Sequence, residues 1–446
     1  MKRIVILISI FYCSVCSCSI CFSQTRQSFD SVLSQMKFSA KKELLDVYYP
    51  KNIDTLYGGY LTDFSFEFKP AGKQDKMIVT QARHVWTTSK ATLFYKDTSY
   101  LAMARHGYFF LRDKMWDKQY GGFYTLVNRK GDMISERKEA YGNAFGLYAL
   151  AAYYKTSRDP QVLELAKKAF GWLEKNSLDP VYKGYYQHLE RSGKPIRRDS
   201  GTPLASDLGY KDQNSSIHIL EAFTELYAVW PDPLLKTRLQ EMLLLIRDTM
   251  VHPKGYLQLF FTPEWKPVSN KDSTRDIILQ RRSLDHVSFG HDVETAYLMM
   301  EATEILGNHD DKKTLAIGKK MVDHSLRNGW DHALAGFYDQ GYYFRNSDTI
   351  SIIKQSKNWW AQAEGLNTLM IFSQLYPSDK LNYADKFLEL WNYVQLNLID
   401  HVHGDWYEEG IDHDPARKTS AKSHIWKATY HNFRSLSNCI RMLEKK

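Results

Sequence analysis

Cysteine is scarce in this chain. Four of its five cysteines, Cys13, Cys16, Cys18 and Cys21, fall within the first 23 residues, leaving Cys439 alone in the rest. An intrachain disulfide is therefore excluded from residues 24–446, and stability has to come from a packed core. Long hydrophobic runs are also absent. The apolar run from Ile4 to Tyr12 is shorter than the ~20 residues that a membrane span requires. It follows Met1-Lys2-Arg3 and precedes small residues ending at Cys21-Phe22-Ser23-Gln24, an order that reads as a secretory signal peptide over residues 1–23. This predicts an exported, periplasmic protein with no membrane span. In an alternative reading, Val15-Cys16-Ser17-Cys18 is a lipoprotein cleavage box and the mature chain is anchored through Cys18.

Other absences narrow the function. The net charge is +8, but the basic residues form no stripe of the kind that nucleic acid requires. No Pro/Ser/Gly-rich linker interrupts the chain, so residues 24–446 are expected to form one domain. No strand-type alternation is sustained, which predicts an all-α fold. His401-Val-His403 lacks further ligands at recognised spacing, so neither metal nor cofactor is expected.

What the sequence does contain is 43% hydrophobic and 14% aromatic residues, enough for a large core. It also contains a turn that recurs six times: Tyr57-Gly58-Gly59-Tyr60, Tyr120-Gly121-Gly122-Phe123, Lys183-Gly184-Tyr185, Lys254-Gly255-Tyr256, Ala335-Gly336-Phe337 and His403-Gly404-Asp405-Trp406. Copies spaced by roughly 60–80 residues indicate stacked supersecondary units. Successive turns are separated by two helical patterns, placing helices at 30–48, 83–95, 98–115, 141–156, 160–176, 213–228, 233–250, 291–306, 312–328, 358–375, 381–398 and 425–444. Twelve helices in six turn-linked pairs predict a closed double ring, an (α/α)6 barrel. The glycines are read as backbone punctuation only, and Trp172, Trp230 and Trp391 as core.

One helix of each pair begins soon after its turn and carries polar or aromatic groups near its start. These are Arg83 and Trp86, Tyr141 and Asn143, Asn214 and His218, His291 and Glu294, Trp360 and Glu364, and Trp426 and His431. A ring of such helices forms a cup whose floor gathers these groups. Most of the pairs are three or four residues apart and share a helix face. Trp426 and His431 are five apart, which places Trp426 in the entry loop or first turn and His431 one turn in.

The runs Asn214-Ser-Ser-Ile-His218, Gly290-His-Asp-Val-Glu294, Trp359-Trp-Ala-Gln-Ala-Glu364 and Trp426-Lys-Ala-Thr-Tyr-His431-Asn resemble the N-acylglucosamine 2-epimerase superfamily, in particular its cellobiose 2-epimerase branch. Ser216 departs from the pattern, since that branch usually has a histidine there. The stretch between Trp406 and Trp426 is longer and more polar than usual. The resemblance implies a metal-independent enzyme that inverts C2 of a reducing-end glucose or mannose, and the expected partner is a disaccharide such as cellobiose or mannobiose, bound by a monomer or weak homodimer. It also implies that His291 and His431 are paired acid/base groups, that Glu294 and Glu364 are cup carboxylates, and that Arg83, Tyr141, Asn214, His218, Trp360, Glu364 and Trp426 contact substrate.

The chemistry agrees with this resemblance. C2 epimerisation needs removal and return of a proton near neutral pH, which suits histidine. Two histidines can flank C2, or one can serve both faces. In this reading Glu294 orients His291, Arg83 stabilises the oxyanion, and Trp360, Trp426 and Trp406 offer flat faces to the sugar rings. The alternatives are an inverting glycoside hydrolase using Glu294 with Glu364 or Asp292, and a sugar-binding protein without catalysis.

Overall fold

A computed structural model of the chain describes residues 29–309 and 311–445. The expected leader with its four cysteines lies outside the described residues. Among those described there are thirteen helices: α1 (29–48), α2 (Ile78–Tyr95), α3 (98–115), α4 (Ala140–Ser157), α5 (160–177), α6 (Gln213–Tyr227), α7 (233–250), α8 (Arg275–Arg281), α9 (Phe289–Ile305), α10 (Lys312–Asn328), α11 (Trp359–Leu375), α12 (Tyr383–Asn397) and α13 (Tyr430–Leu443). None is long and apolar enough to cross a membrane.

Twelve of the helices form two concentric rings. α2, α4, α6, α9, α11 and α13 each pack on the next, and α13 closes on α2. The other ring helices lie outside, each against its inner neighbour, and α1 covers α13 so that the two ends of the chain complete the sixth pair. The sequence explains the layering. Inner helices are apolar on nearly every side, and α4 is buried continuously from Ala140 to Tyr153. Outer helices are buried along one stripe only, as in α5 with Val162, Leu165, Ala166, Ala169 and Phe170. Their starts are capped by short polar side chains, with Asp97, Asp159, Asp232, Asp311 and Asn382 accepting backbone N–H groups. Trp391 is fully buried, Trp172 nearly so and Trp230 partly.

The turns do more than punctuate the chain. An aspartate four or five residues ahead of the glycine caps each of five turns, and a lysine buried just before an inner helix, or in the entry loop of α13, pairs with it. These pairs are Lys76–Asp54 (2.9 Å), Lys138–Asp117 (2.9 Å), Lys211–Asp179 (2.8 Å), Lys357–Asp331 (2.7 Å) and Lys422–Asp400 (2.6 Å). The fourth turn departs from this: His252 stands at the aspartate position and stacks on Tyr256, which stacks on Tyr343. At Gly122 (φ +72°) a Cβ would lie 2.6 Å from Trp172, so the backbone conformation and the close approach both require glycine. Two-residue strands ahead of inner helices pair with the chain that follows the next turn, as in Lys138–Glu139 with His188–Leu189, stitching neighbouring units together.

Two helix starts differ from expectation. α2 begins at Ile78, five residues before 83, continuing directly from the strand that carries Lys76. α13 begins at Tyr430, five residues after 425, because Lys422 and Lys427 turn inward to Asp400 and Asp405 and hold the preceding segment out of helix. α8 has no counterpart among the expected helices.

Candidate active site

The first three turns of the inner helices meet around Arg434, a residue the sequence reading passed over. Its Nη2 reaches Glu294 (2.5 Å) on α9 and Glu364 (2.7 Å) on α11, while its Nη1 donates to Glu221 on α6 and to the Tyr430 hydroxyl. Glu221 in turn holds His218 through Nδ1 (2.8 Å), and Glu364 holds His431 through Nδ1 (2.7 Å). One guanidinium thus fixes two carboxylate–histidine pairs and a third carboxylate in the ring. The signal available in the sequence was an arginine three residues after His431, on the same helix face.

Above this hub stand the groups facing the cup. Trp360 packs near both candidate acid/base residues, with its ring 4.6 Å from that of His291 and 5.9 Å from that of His431. Arg83 lies over the rings of Phe145 and Tyr430 and donates to the Tyr141 hydroxyl (3.2 Å) and the Trp426 carbonyl (2.9 Å). The His218 ring packs on Phe145 and Tyr141. Trp426 sits in the loop before α13 with 46% of its surface exposed, at the rim. Asn214 is half-buried at the head of α6. The structure therefore brings Arg83, Tyr141, His218, His291, Glu294, Trp360, Glu364, Trp426 and His431 into one cup.

Several assigned roles change. Glu294 does not orient His291. Its carboxylate is taken by Arg434, and the Nδ1 of His291 pairs instead with the Ser288 hydroxyl (2.8 Å) one turn earlier. Glu364, expected to contact substrate, is the group that orients His431. His431 lies in the first turn of α13 rather than one turn in. Trp406 is completely buried and cannot offer a face to a sugar. Asp292 caps the fourth turn by accepting from the Leu257 N–H (2.8 Å), and Asn143 does the same at Phe123 (2.7 Å). Both point away from the cup.

The geometry also bears on the alternatives. The nearest ligand atoms of Glu294, Glu364 and His431 lie within 4.8 Å of one another. An inverting hydrolase needs carboxyls ~6.5–9.5 Å apart with room for a water, and here both carboxylates are tied to a single arginine. The same trio resembles a metal site in spacing. However, Arg434 supplies the positive charge between the carboxylates and Glu364 occupies His431 Nδ1, so the residues do not fit a metal ion. His401 bonds Glu43 and the Gln395 carbonyl, and His403 faces Asp400.

Burial governs the electrostatics. It drives His431 well below the usual histidine range, helped by Arg83 and Arg434, and takes His291 to about 3 with His218 and His286 nearby. Both imidazoles are therefore neutral near pH 7. Glu364 is raised to about 8 by burial and by Glu294, with Arg434 opposing. Glu221 goes the other way: burial would raise it, but Arg434 and His218 outweigh that and hold it at about 2. Two carboxylates beside one arginine are thus shifted in opposite directions.

The sequence model of the N-acylglucosamine 2-epimerase (GlcNAc 2-epimerase) family matches residues 59–435. The chain is 30% identical to a cellobiose 2-epimerase of Ruminococcus albus over 90% of this chain and 97% of that one. It is 27% identical to that of Dictyoglomus turgidum over 87% and 92%. The solved structure of the cellobiose 2-epimerase from Spirochaeta thermophila superimposes with a TM-score of 0.80 at 25% identity, covering 95% of this chain and 99% of that one. The chain belongs to the N-acylglucosamine 2-epimerase family, in its cellobiose 2-epimerase branch, and is a carbohydrate epimerase on an (α/α)6 barrel.

Proposed function

We propose that the protein inverts C2 of the reducing-end glucose or mannose of a β-linked disaccharide, cellobiose or mannobiose, through an enediolate formed by histidine-mediated proton transfer. The observation that carries this reading is the pairing of His291 and His431 beside Trp360, each with Nδ1 engaged by the protein and Nε2 left for the substrate. Once the sugar ring opens, the C2 proton is acidic beside the aldehyde. A neutral imidazole is the base suited to take it.

The Glu364–His431 pair has two forms one proton apart. With Glu364 ionised and the proton on Nδ1, Nε2 carries a lone pair and takes the C2 proton. With Glu364 protonated and donating to Nδ1, Nε2–H gives a proton back. Arg83, held beside Tyr430 and His431, favours the negative enediolate. Trp360 supports the reacting ring, and the exposed face of Trp426 suits the second ring of a disaccharide.

The test incubates the protein with cellobiose and with mannobiose in heavy water. Epimeric disaccharide carrying C2 deuterium is expected, and its loss in both His431→Ala and His291→Ala with the helical circular-dichroism signal intact. Released monosaccharide without C2 exchange would overturn the reading in favour of a hydrolase, and binding with unchanged sugar would favour a non-catalytic protein. Export is part of the proposal. N-terminal sequencing from fractionated cells is expected to find a periplasmic chain starting near Gln24, and a retained leader overturns that part.

A further inference from the structure

The polar lining of the barrel does not stop at the cup floor. On α9, Glu294, Tyr297 and Glu301 share one face at i, i+3 and i+7, placing Glu301 about 10 Å deeper along the axis than Glu294. On α2 the same face carries Arg83, Trp86 and Lys90, and on α6 it carries His218, Glu221 and Glu225. Lys90 and Glu225 meet at 2.6 Å beyond the Trp86 ring, so this end of the axis is charged as well. Glu301 reaches solvent there, although the surrounding ring still leaves its carboxyl poorly solvated.

Between the cup and this far mouth lie polar atoms that are buried and have no hydrogen-bond partner among the described residues: Oε2 of Glu364, both side-chain amide atoms of Asn367 one turn below it, the Tyr297 hydroxyl, Nε of Arg434 and Nε1 of Trp86. The Arg434 guanidinium lies 5.3 Å from the Tyr297 ring, which ties this middle layer to the hub. A buried polar atom left without a partner is costly. Several together along one axis are the setting in which ordered waters are held, each with two to four polar partners.

We infer that the barrel axis is a proton path, running from the Glu364–His431 pair past Asn367 and Tyr297 through bound water to Glu301 at the far mouth, by which the pair exchanges its proton with solvent. The inference rests on the proposed epimerase chemistry. When His431 takes the C2 proton the pair gains one proton. That proton either returns to the sugar or leaves from Glu364 along the axis while an equivalent one enters, so the net charge is unchanged. Glu301, exposed at the far mouth beside the Lys90–Glu225 pair, exchanges protons directly with solvent. It acts through Glu364 and touches no substrate.

The readout is internal return, the fraction of substrate-derived C2 hydrogen retained in the epimeric product. Full-length wild type, Glu301→Gln and Tyr297→Phe are given C2-deuterated cellobiose in ordinary water, and the product is sampled at low conversion. Severing the path is expected to raise internal return at least twofold in both variants, an effect that a merely structural change in rate would not produce. A second measurement does not depend on activity: with ¹⁵N-labelled indole groups, the Trp86 Nε1–H, identified through Trp86→Phe, is expected to show a magnetisation-exchange peak with water. Wild type that exchanges C2 hydrogen while both variants keep its internal return overturns the path alone, as does a Trp86 indole without contact to water. Wild type that forms epimer with all of its C2 deuterium retained also overturns the path alone, whereas wild type that forms no epimer overturns the functional reading on which the path rests.

Discussion

Replacing Arg434 with methionine tests the central electrostatic argument. Methionine fills much of the volume but leaves Glu221, Glu294 and Glu364 facing one another without their cation. Breaking a buried ion pair by removing one partner costs about 3–5 kcal/mol. For a chain of this size, unfolding entropy near 2 cal/mol/K per residue converts that into a melting-temperature drop of about 3–6 °C. The pH dependence is more diagnostic than the drop itself. In the wild type, Glu221 is depressed to about 2, so it contributes stability above the unfolded carboxylate range that is lost as pH falls through about 2. Without Arg434, burial dominates and its pKa rises above the unfolded value. It then stabilises only when protonated, and the deficit is largest at pH 7–8 and shrinks toward pH 4.5. Thermal scans by circular dichroism at fixed scan rate, at pH 4.5, 6 and 8, measure this. Epimerisation should fall at least tenfold, because Glu364 no longer has the partner that sets its position under His431. A melting temperature within 1 °C of wild type at pH 8, or a deficit that grows toward acid, would refute the reasoning.

Other outcomes follow from the same geometry. His291 has its pKa lowered to about 3 against 6.5 when unfolded, so its contribution is present above pH 6.5 and lost as pH falls toward 3; His291→Gln should flatten that acid slope in thermal scans. Trp406→Ala should lower stability by about 3–5 kcal/mol with KM for disaccharide unchanged, because the ring is wholly inside the core. Trp426→Ala should raise KM with little change in melting temperature. Lys211→Met leaves Asp179 buried without its cation and should cost about 3–5 kcal/mol, and adding Asp179→Asn should recover part of it, as read by a double-mutant cycle.

Much of the site was legible because helical spacing is local. His291, Trp360, Glu364 and His431 were recognisable from residue type and position after each turn, and they do meet in the cup. Their partners were not recognisable. Glu294 and His291 sit three residues apart on one helix, yet Arg434, more than a hundred residues away in sequence, takes the carboxylate, and Ser288 takes the imidazole. Trp406 and Trp426 looked alike as aromatics near turns, but one is sealed in the core and the other is open at the rim. The lysine–aspartate pairs beneath five turns were missed although both residues recur, because the partners stand more than twenty residues apart and only folding makes them neighbours.

The sequence alone determined the twelve-helix double ring, since apolar periodicity and the six glycine turns are written in short stretches of chain and need no long-range information. Tertiary structure alone decided which charge each buried group carries. Ionisation inside a protein depends on burial and on the nearest opposite charge, and here both are set by ring closure around a single arginine, which holds Glu221 ionised while Glu364, beside the same guanidinium, is raised to about 8 and so exchanges its proton near neutral pH.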